Sequence, residues 1–369
     1  MLLFTPGPTP VLESVRQAMA TPTLHHRTPE FEAIFKEARE RLMKLLGMDE
    51  CVMIASSGTG AMQACMLNLC ATKALTINAG KFGERFGKIA DAMGRAKVEL
   101  KYEWNTPSSV EDVEKTLLEH RDIDAIFIQV CESAGGLRHP VEAIAKRAKE
   151  INPEIMVIAD GITAVGVERI DVTHIDALVT GSQKALMLPP GLAMIGLSRS
   201  AVEKTGAGKD YYFNLATEIK NQQKNTTAWT AATTLIIGLN AMFDAIDVEG
   251  IDALYANTKA RAMATQAALE SIGFDMYPQT PALAMSTVLD QDAESIRKLL
   301  KTKYGVNMAG GQDHLKGKIF RINQMGIIPV YESAWVVNAI ELALADIGRR
   351  AFDGTASRVF NETYFRESK

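Results

Sequence analysis

The chain is poor in cysteine and histidine, with 4 and 6 among 369 residues. Cys51, Cys65, Cys70 and Cys131 form no C-x-x-C pair, and no histidine stands at zinc spacing from them. A structural zinc site and a disulfide framework are therefore not expected; the four should be buried, reduced thiols, with no metal bound. Neither charge sign prevails, since 40 Lys+Arg against 44 Asp+Glu leave a net −4. That balance, without a local Lys/Arg run, gives no electrostatic footprint for nucleic acid. No apolar stretch approaches the roughly 18 residues that a membrane span requires. The opening MLLFTPGPTP lacks the basic start, sustained apolar run and small-residue cleavage site of a secretory signal, so a cytoplasmic location is expected.

Hydrophobic residues make up 47% of the chain, and its length exceeds what one core usually supports. Phe31, Ile34, Phe35, Ala38, Leu42, Leu45 and Leu46 lie on one helical face, and Gly47 follows as a stop. Short apolar runs then alternate with helical patterns: 51–55, 74–78, 125–130, 155–159, 177–180 and 193–197. Continuously apolar strands between helices predict an α/β domain with a mostly parallel sheet covered on both faces. After about Ala256 the pattern becomes helix 255–272, strand 285–288, helix 296–304, strand 319–322 and helix 332–347, a smaller α+β domain. The expected division is an N-terminal segment 1–20, a large domain 21–255 and a small domain 256–369, with the polar residues 361–369 as a frayed end.

Four segments could carry chemistry. Gly181-Ser182-Gln183-Lys184 follows an apolar strand, where open α/β folds place ligands; Lys184 is either a solvated surface cation or a nucleophile in a dry setting. Asp160 ends the run Ile155–Ala159 and either begins a turn or meets a ring nitrogen of a cofactor. Ser56-Ser57-Gly58-Thr59-Gly60-Ala61 lies between strand and helix and suits one phosphate group. It is neither a nucleotide P-loop, lacking Gly-Lys-Ser/Thr, nor a dinucleotide fingerprint, because Gln63 stands where a third glycine belongs. Arg321, in Phe320-Arg321-Ile322-Asn323, is either an edge residue with its head in water or a fork for a carboxylate.

In chain order these segments resemble the class V branch of fold-type I pyridoxal-phosphate aminotransferases, the alanine–glyoxylate and serine–pyruvate aminotransferase group. The resemblance also includes Thr5-Pro6-Gly7-Pro8-Thr9, His26-Arg27-Thr28-Pro29-Glu30-Phe31 and Gly80-Lys81-Phe82-Gly83-Glu84-Arg85, and it covers nearly the whole chain. It implies a large domain with a seven-stranded type of sheet. It further implies that Lys184 holds pyridoxal 5'-phosphate as a Schiff base and that Asp160 pairs with the pyridine nitrogen. Thr59, Gly60 and Ala61 would lie at the phosphate, Phe82 would stack on the ring, and Ser133, Ile162 and Gln183 would complete the pocket. Thr230 matches a position that reaches the neighbouring subunit's phosphate, which implies a homodimer with shared active sites. Arg321, assisted by the backbone at Gly7, would take the substrate carboxylate.

The implied reaction moves the amino group of alanine or serine to glyoxylate or pyruvate by a ping-pong mechanism. Where relatives often carry Gly-His-Met-Gly, this chain has Asn323-Gln324-Met325-Gly326, and Phe82 stands where some carry Trp. If Arg27 enters the pocket, the donor would instead be dicarboxylic or phosphonate-bearing. A lyase such as a cysteine desulfurase needs a nucleophilic cysteine in the second domain, and none follows Cys131. A non-catalytic scaffold would have little use for Lys184, Asp160 and Arg321 together. His25 and His26 are expected to serve a turn and its packing.

Overall fold

The apolar runs pair side by side, as continuous burial on both faces demands. In the computed structural model, which describes residues 1–205 and 210–368, seven strands form the large sheet in the spatial order Glu50–Ala55, Leu192–Leu197, Ala177–Gly181, Met156–Asp160, Ile123–Gln129, Lys73–Asn78 and Ala96–Lys101. All neighbours run parallel except Leu192–Leu197, which is antiparallel to both of its partners. The sheet's centre is buried on both faces, which is why its strands read as unbroken apolar runs. Ala96–Lys101 gave no such signal. It is an edge strand whose sequence AKVELK alternates charge with apolar residues, because one side meets water.

Local chemistry starts and stops the helices. Thr28 caps Pro29–Leu46 by accepting the Phe31 N–H, proline occupies the first turn, and Gly47 ends the helix at φ 65°. Phe31, Phe35, Ala38, Leu42 and Leu46 enter the core, matching the expected face. His25 serves the preceding turn: its Nδ1 accepts the Arg27 N–H, its carbonyl accepts the Thr28 hydroxyl, and its ring lies against His26. All four cysteines are free and buried.

A second sheet has the order Leu2–Phe4, Val306–Gly310, Ile319–Asn323, Met285–Leu289 and Asp275–Met276. Its first strand comes from the N-terminus and pairs in parallel with Val306–Gly310. The chain start therefore belongs physically to this sheet before it crosses to the large one. Helix Ile251–Ser271 runs through residue 255, and from it buried Arg261 donates to the carbonyls of Gln324 and Gly326. The expectation of a frayed end at 361–369 is corrected for the residues the structure describes: Thr355–Glu367 is a helix packed on Ile251–Ser271 and Val330–Asp346. Phe360 is wholly buried there, and Thr363 nearly so. One aromatic per turn suffices to dock the helix, which its polar composition concealed.

Candidate active site

Parallel strands deliver their C-terminal ends to one edge, and most of the candidate residues sit there. Asp160 ends its strand, Gln183 and Lys184 follow Ala177–Gly181, and Ser133 follows Ile123–Gln129 by way of a short hairpin, Cys131–Glu132 with Leu137–Arg138. Phe82 opens the helix after Lys73–Asn78, and Thr59, Gly60 and Ala61 open the helix after Glu50–Ala55. Arg321 arrives from the second sheet and Gly7 from the N-terminal segment.

The Lys184 amine donates to the Pro6 carbonyl at 2.5 Å. Gly7 lies so close that a Cβ on it would stand 2.5 Å from that nitrogen, and its φ of 125° excludes most side chains in any case. Thr9 secures the same crossing: its N–H donates to the Gln183 carbonyl and its hydroxyl to the Lys184 carbonyl at 2.6 Å. Burial holds the Lys184 amine down at about 8; Asp160 opposes that shift, while the positive charges of Arg321 and Arg85 add to it.

Asp160 is 5% exposed. Its Oδ1 accepts the Ile162 N–H at 2.9 Å, and Oδ2 has no donor among the described residues. Burial pushes its carboxyl up to about 6, against the pull of the Ile162 N–H, Lys184 and Arg85. A carboxylate this nearly buried, with one oxygen that no protein donor meets, calls for a partner. The Ile162 side chain packs over Gly58 at the start of the helix Gly58–Leu69. That helix has Ser57 at its N-cap but no side-chain cap, so its first N–H groups are open to an anion. Arg85 donates to the Thr59 hydroxyl at 2.9 Å and lies 4.6 Å over the Phe82 ring.

Arg321 is 7% exposed and has no carboxylate within ion-pairing distance among the described residues. Its Nε and one terminal nitrogen donate to the Gly310 carbonyl at 3.1 and 2.7 Å, and the other terminal nitrogen donates to the Ser133 carbonyl at 2.6 Å. Three of a guanidinium's five N–H groups are thereby used, leaving one on each terminal nitrogen. Burial brings this guanidinium down to about 10, with Glu132 opposing.

Thr230 makes no hydrogen bond to this group. It is exposed, beside Ala55, Leu192 and Trp229. Arg27 is also exposed and makes no ion pair among the described residues. Arg85 and Thr9 lie in segments that carry the resemblance but are given no role by it, and Glu132 lies in none of them; nothing local in the sequence shows that Arg85 and Glu132 carry charge into the pocket.

Residues 3–325 match the family model of class V aminotransferases. The chain belongs to the class V aminotransferases. An aminotransferase of Helicobacter pylori, named as uncharacterized, is 49% identical over 367 residues, covering 99% of this chain and all of that one. The serine–glyoxylate aminotransferase of Hyphomicrobium methylovorum is 30% identical, over 94% of this chain and 90% of its own. Among solved structures, an aspartate aminotransferase of Thermus thermophilus is 31% identical with a TM-score of 0.88, covering 94% of this chain and 100% of that one. The fold is that of the fold-type I enzymes, and class V membership implies pyridoxal phosphate. The pocket of this class V enzyme suits that group: a nearly buried Asp160 with one oxygen that no protein donor meets, an uncapped helix start, an aromatic face at Phe82 and a depressed lysine amine converge.

Proposed function

We propose that this class V aminotransferase holds pyridoxal phosphate on Lys184 and moves the amino group of a small amino acid, alanine or serine, to glyoxylate or pyruvate. The observation that carries the reading is Arg321: a buried guanidinium with no carboxylate partner and one free N–H on each terminal nitrogen. A carboxylate accepts such a fork bidentately. Arg85 donates to Thr59 and lies over Phe82, at the end of the pocket assigned here to the cofactor, so this reading assigns the donor one carboxylate clamp, Arg321.

When bound, pyridoxal phosphate supplies an electron sink for the donor's Cα–H bond. Asp160 presents its free oxygen where a protonated ring nitrogen would meet it, and Ile162 N–H fixes the other oxygen. The Thr59 N–H, which meets no carbonyl among the described residues, would face the phosphate, with Gly60 and Ala61, whose N–H groups donate to the Ser57 carbonyl, lying beside it, and Phe82 with Ile162 would supply flat apolar contact for the ring. Ser133 and Gln183 would complete the pocket. The Lys184 amine would carry the donor's Cα proton on and off as base and acid. A cysteine nucleophile has no candidate, since burial holds the thiols of Cys51, Cys70 and Cys131 up at about 12 and that of Cys65 higher still.

Donors added one at a time to the yellow holoenzyme test the substrate. Alanine or serine should bleach the visible band while aspartate and 2-aminoethylphosphonate do not; bleaching by aspartate alone would transfer the assignment to a dicarboxylic donor, with exposed Arg27 as its second clamp. Arg321→Lys keeps the charge but loses the fork, so KM for the productive donor should rise by about tenfold to a hundredfold with a smaller change in kcat.

Only the neutral Lys184 amine is nucleophilic. Covalent uptake of pyridoxal phosphate by apoenzyme should therefore accelerate as pH rises through about 8 and level off above it. A rate that is flat across that range, followed by stopped-flow absorbance, would contradict the assignment.

The exposed Thr230 completes a partner's phosphate site in this reading. Tyr211, 80% exposed with its ring tilted against Trp229 at 4.7 Å, is an apolar surface suited to cover by a second copy. Light scattering should give twice the 40.2 kDa chain mass, and a monomer active at all concentrations would refute shared sites.

A further inference from the structure

One buried carboxylate joins the segments that bear Phe82 and Arg321's carbonyl partner. Glu132, at the end of the short strand after Ile123–Gln129, has no exposed surface. Its Oε2 accepts the N–H groups of Phe82 and Gly83, both at 2.9 Å, and its Oε1 accepts the Ala134 N–H at 3.0 Å. The first two donors begin the helix Lys81–Ala92, which has no side-chain cap of its own, so Glu132 satisfies that helix start from another strand. Gly80 leaves the room: a Cβ there would run into Cγ and Cδ of Glu132. The next residue, Ser133, gives its carbonyl to Arg321 at 2.6 Å, and the Arg321 charge acts on Glu132 as its attractive counterpart.

These contacts form one continuous path. The Phe82 backbone hangs on Oε2, the 133–134 backbone hangs on Oε1, and the Arg321 guanidinium hangs on that same backbone. Charge-assisted bonds of this kind are short and directional, and a side chain with no exposed surface has no alternative rotamer filled by water. We propose that Glu132 is the positioning residue that sets the Phe82 ring and the Arg321 guanidinium relative to each other, so that cofactor stacking and carboxylate capture share one buried anchor. The inference rests on the roles proposed above for Phe82 and Arg321.

Glu132→Gln preserves the shape but turns one oxygen into an NH2 group, which must confront either the Phe82 and Gly83 N–H groups or that of Ala134, donor against donor. The expected result is an increase of about tenfold in both the Kd of apoenzyme for pyridoxal phosphate and the KM for the amino donor, with kcat changed less. The visible circular dichroism of the bound cofactor should change as its stacking face turns. Placed on Arg321→Lys, the same substitution should add little further to KM, because both act through one path. A lower Tm with Kd, KM and dichroism at wild-type values would reduce Glu132 to a helix cap and overturn the proposal, as would full additivity with Arg321→Lys. Should Glu132→Gln not fold, Gly80→Ala presses the same carboxylate aside with its charge intact, and unchanged Kd and KM in that variant would overturn it equally. Wild-type protein that takes up no pyridoxal phosphate would instead overturn the functional reading, a separate outcome read before any variant is made.

Discussion

Lys184→Ala should abolish transamination, lowering kcat by about a thousandfold or more, since it removes both the covalent attachment and the proton carrier. Lys184→Arg provides the control. It retains a cation in the same place but supplies no nucleophile at accessible pH. If charge at that point were all that mattered, Arg would restore activity; the expected result is that both variants are inactive. Each should still fold, because the Lys184 amine is a buried cation whose protein hydrogen bond runs to the Pro6 carbonyl, and its removal opens the crossing at Gly7 rather than a core cavity. Mass spectrometry after borohydride treatment should find the cofactor attached in the wild type and in neither variant. Transamination by Lys184→Ala near the wild-type rate would end the assignment.

Asp160→Asn should cost about a hundredfold to a thousandfold in kcat, the scale of removing one preorganised electrostatic group at a reacting centre. Asparagine keeps an oxygen for the Ile162 N–H. The loss therefore isolates the charge. The same substitution should have the opposite effect on the apoprotein. Folding raises the Asp160 carboxyl to about 6, so the folded state binds that proton more tightly than the unfolded chain does. The resulting penalty is absent below the unfolded value near 4, grows as pH rises, and is complete above about 6. At pH 7.5 apo Asp160→Asn should accordingly be more stable than apo wild type, by about 2 kcal/mol, with the difference fading on acidification. Urea unfolding of both apoproteins across pH checks the sign. An apoprotein destabilised by Asp160→Asn at neutral pH would show that the carboxylate is satisfied without a cofactor.

The pairing of lower activity with higher apo stability is what a group held ready for a missing partner should display. Asp160 with one donor, Arg321 with no carboxylate at ion-pairing distance among the described residues, and Lys184 with a depressed amine are each costly alone. They share one pocket at the edge where the parallel strands end and the second sheet meets them. A ligand carrying a phosphate, a basic ring nitrogen and a carboxylate-bearing substrate would relieve all three.

Periodicity and composition by themselves determined much of this molecule. The alternation of buried strands with amphipathic helices specified a mostly parallel sheet, and six of its seven strands stood out because continuous burial leaves an apolar run. The apolar face from Phe31 to Leu46 and the stop at Gly47 marked a helix, whose cap at Thr28 the structure adds. Residue types at strand ends likewise singled out Asp160, Lys184 and the 56–61 turn, because the edge where such strands end is a local consequence of their direction.

Only the tertiary structure decided what those residues face. Lys184 meets Pro6 across 178 residues of sequence and Arg321 meets Ser133 across 188, and no periodic pattern encodes a contact closed over such a loop. The strand Leu2–Phe4 and the edge strand Ala96–Lys101 were silent for a related reason: one is three residues long and the other half wet, so neither needs an apolar run. The helix Thr355–Glu367 was hidden because a few buried residues, Phe360 above all, dock an otherwise polar segment. Glu132 was the least visible of all. Its function lies in three N–H groups from two segments converging on one carboxylate, and convergence is a property of the folded chain rather than of any stretch of its sequence.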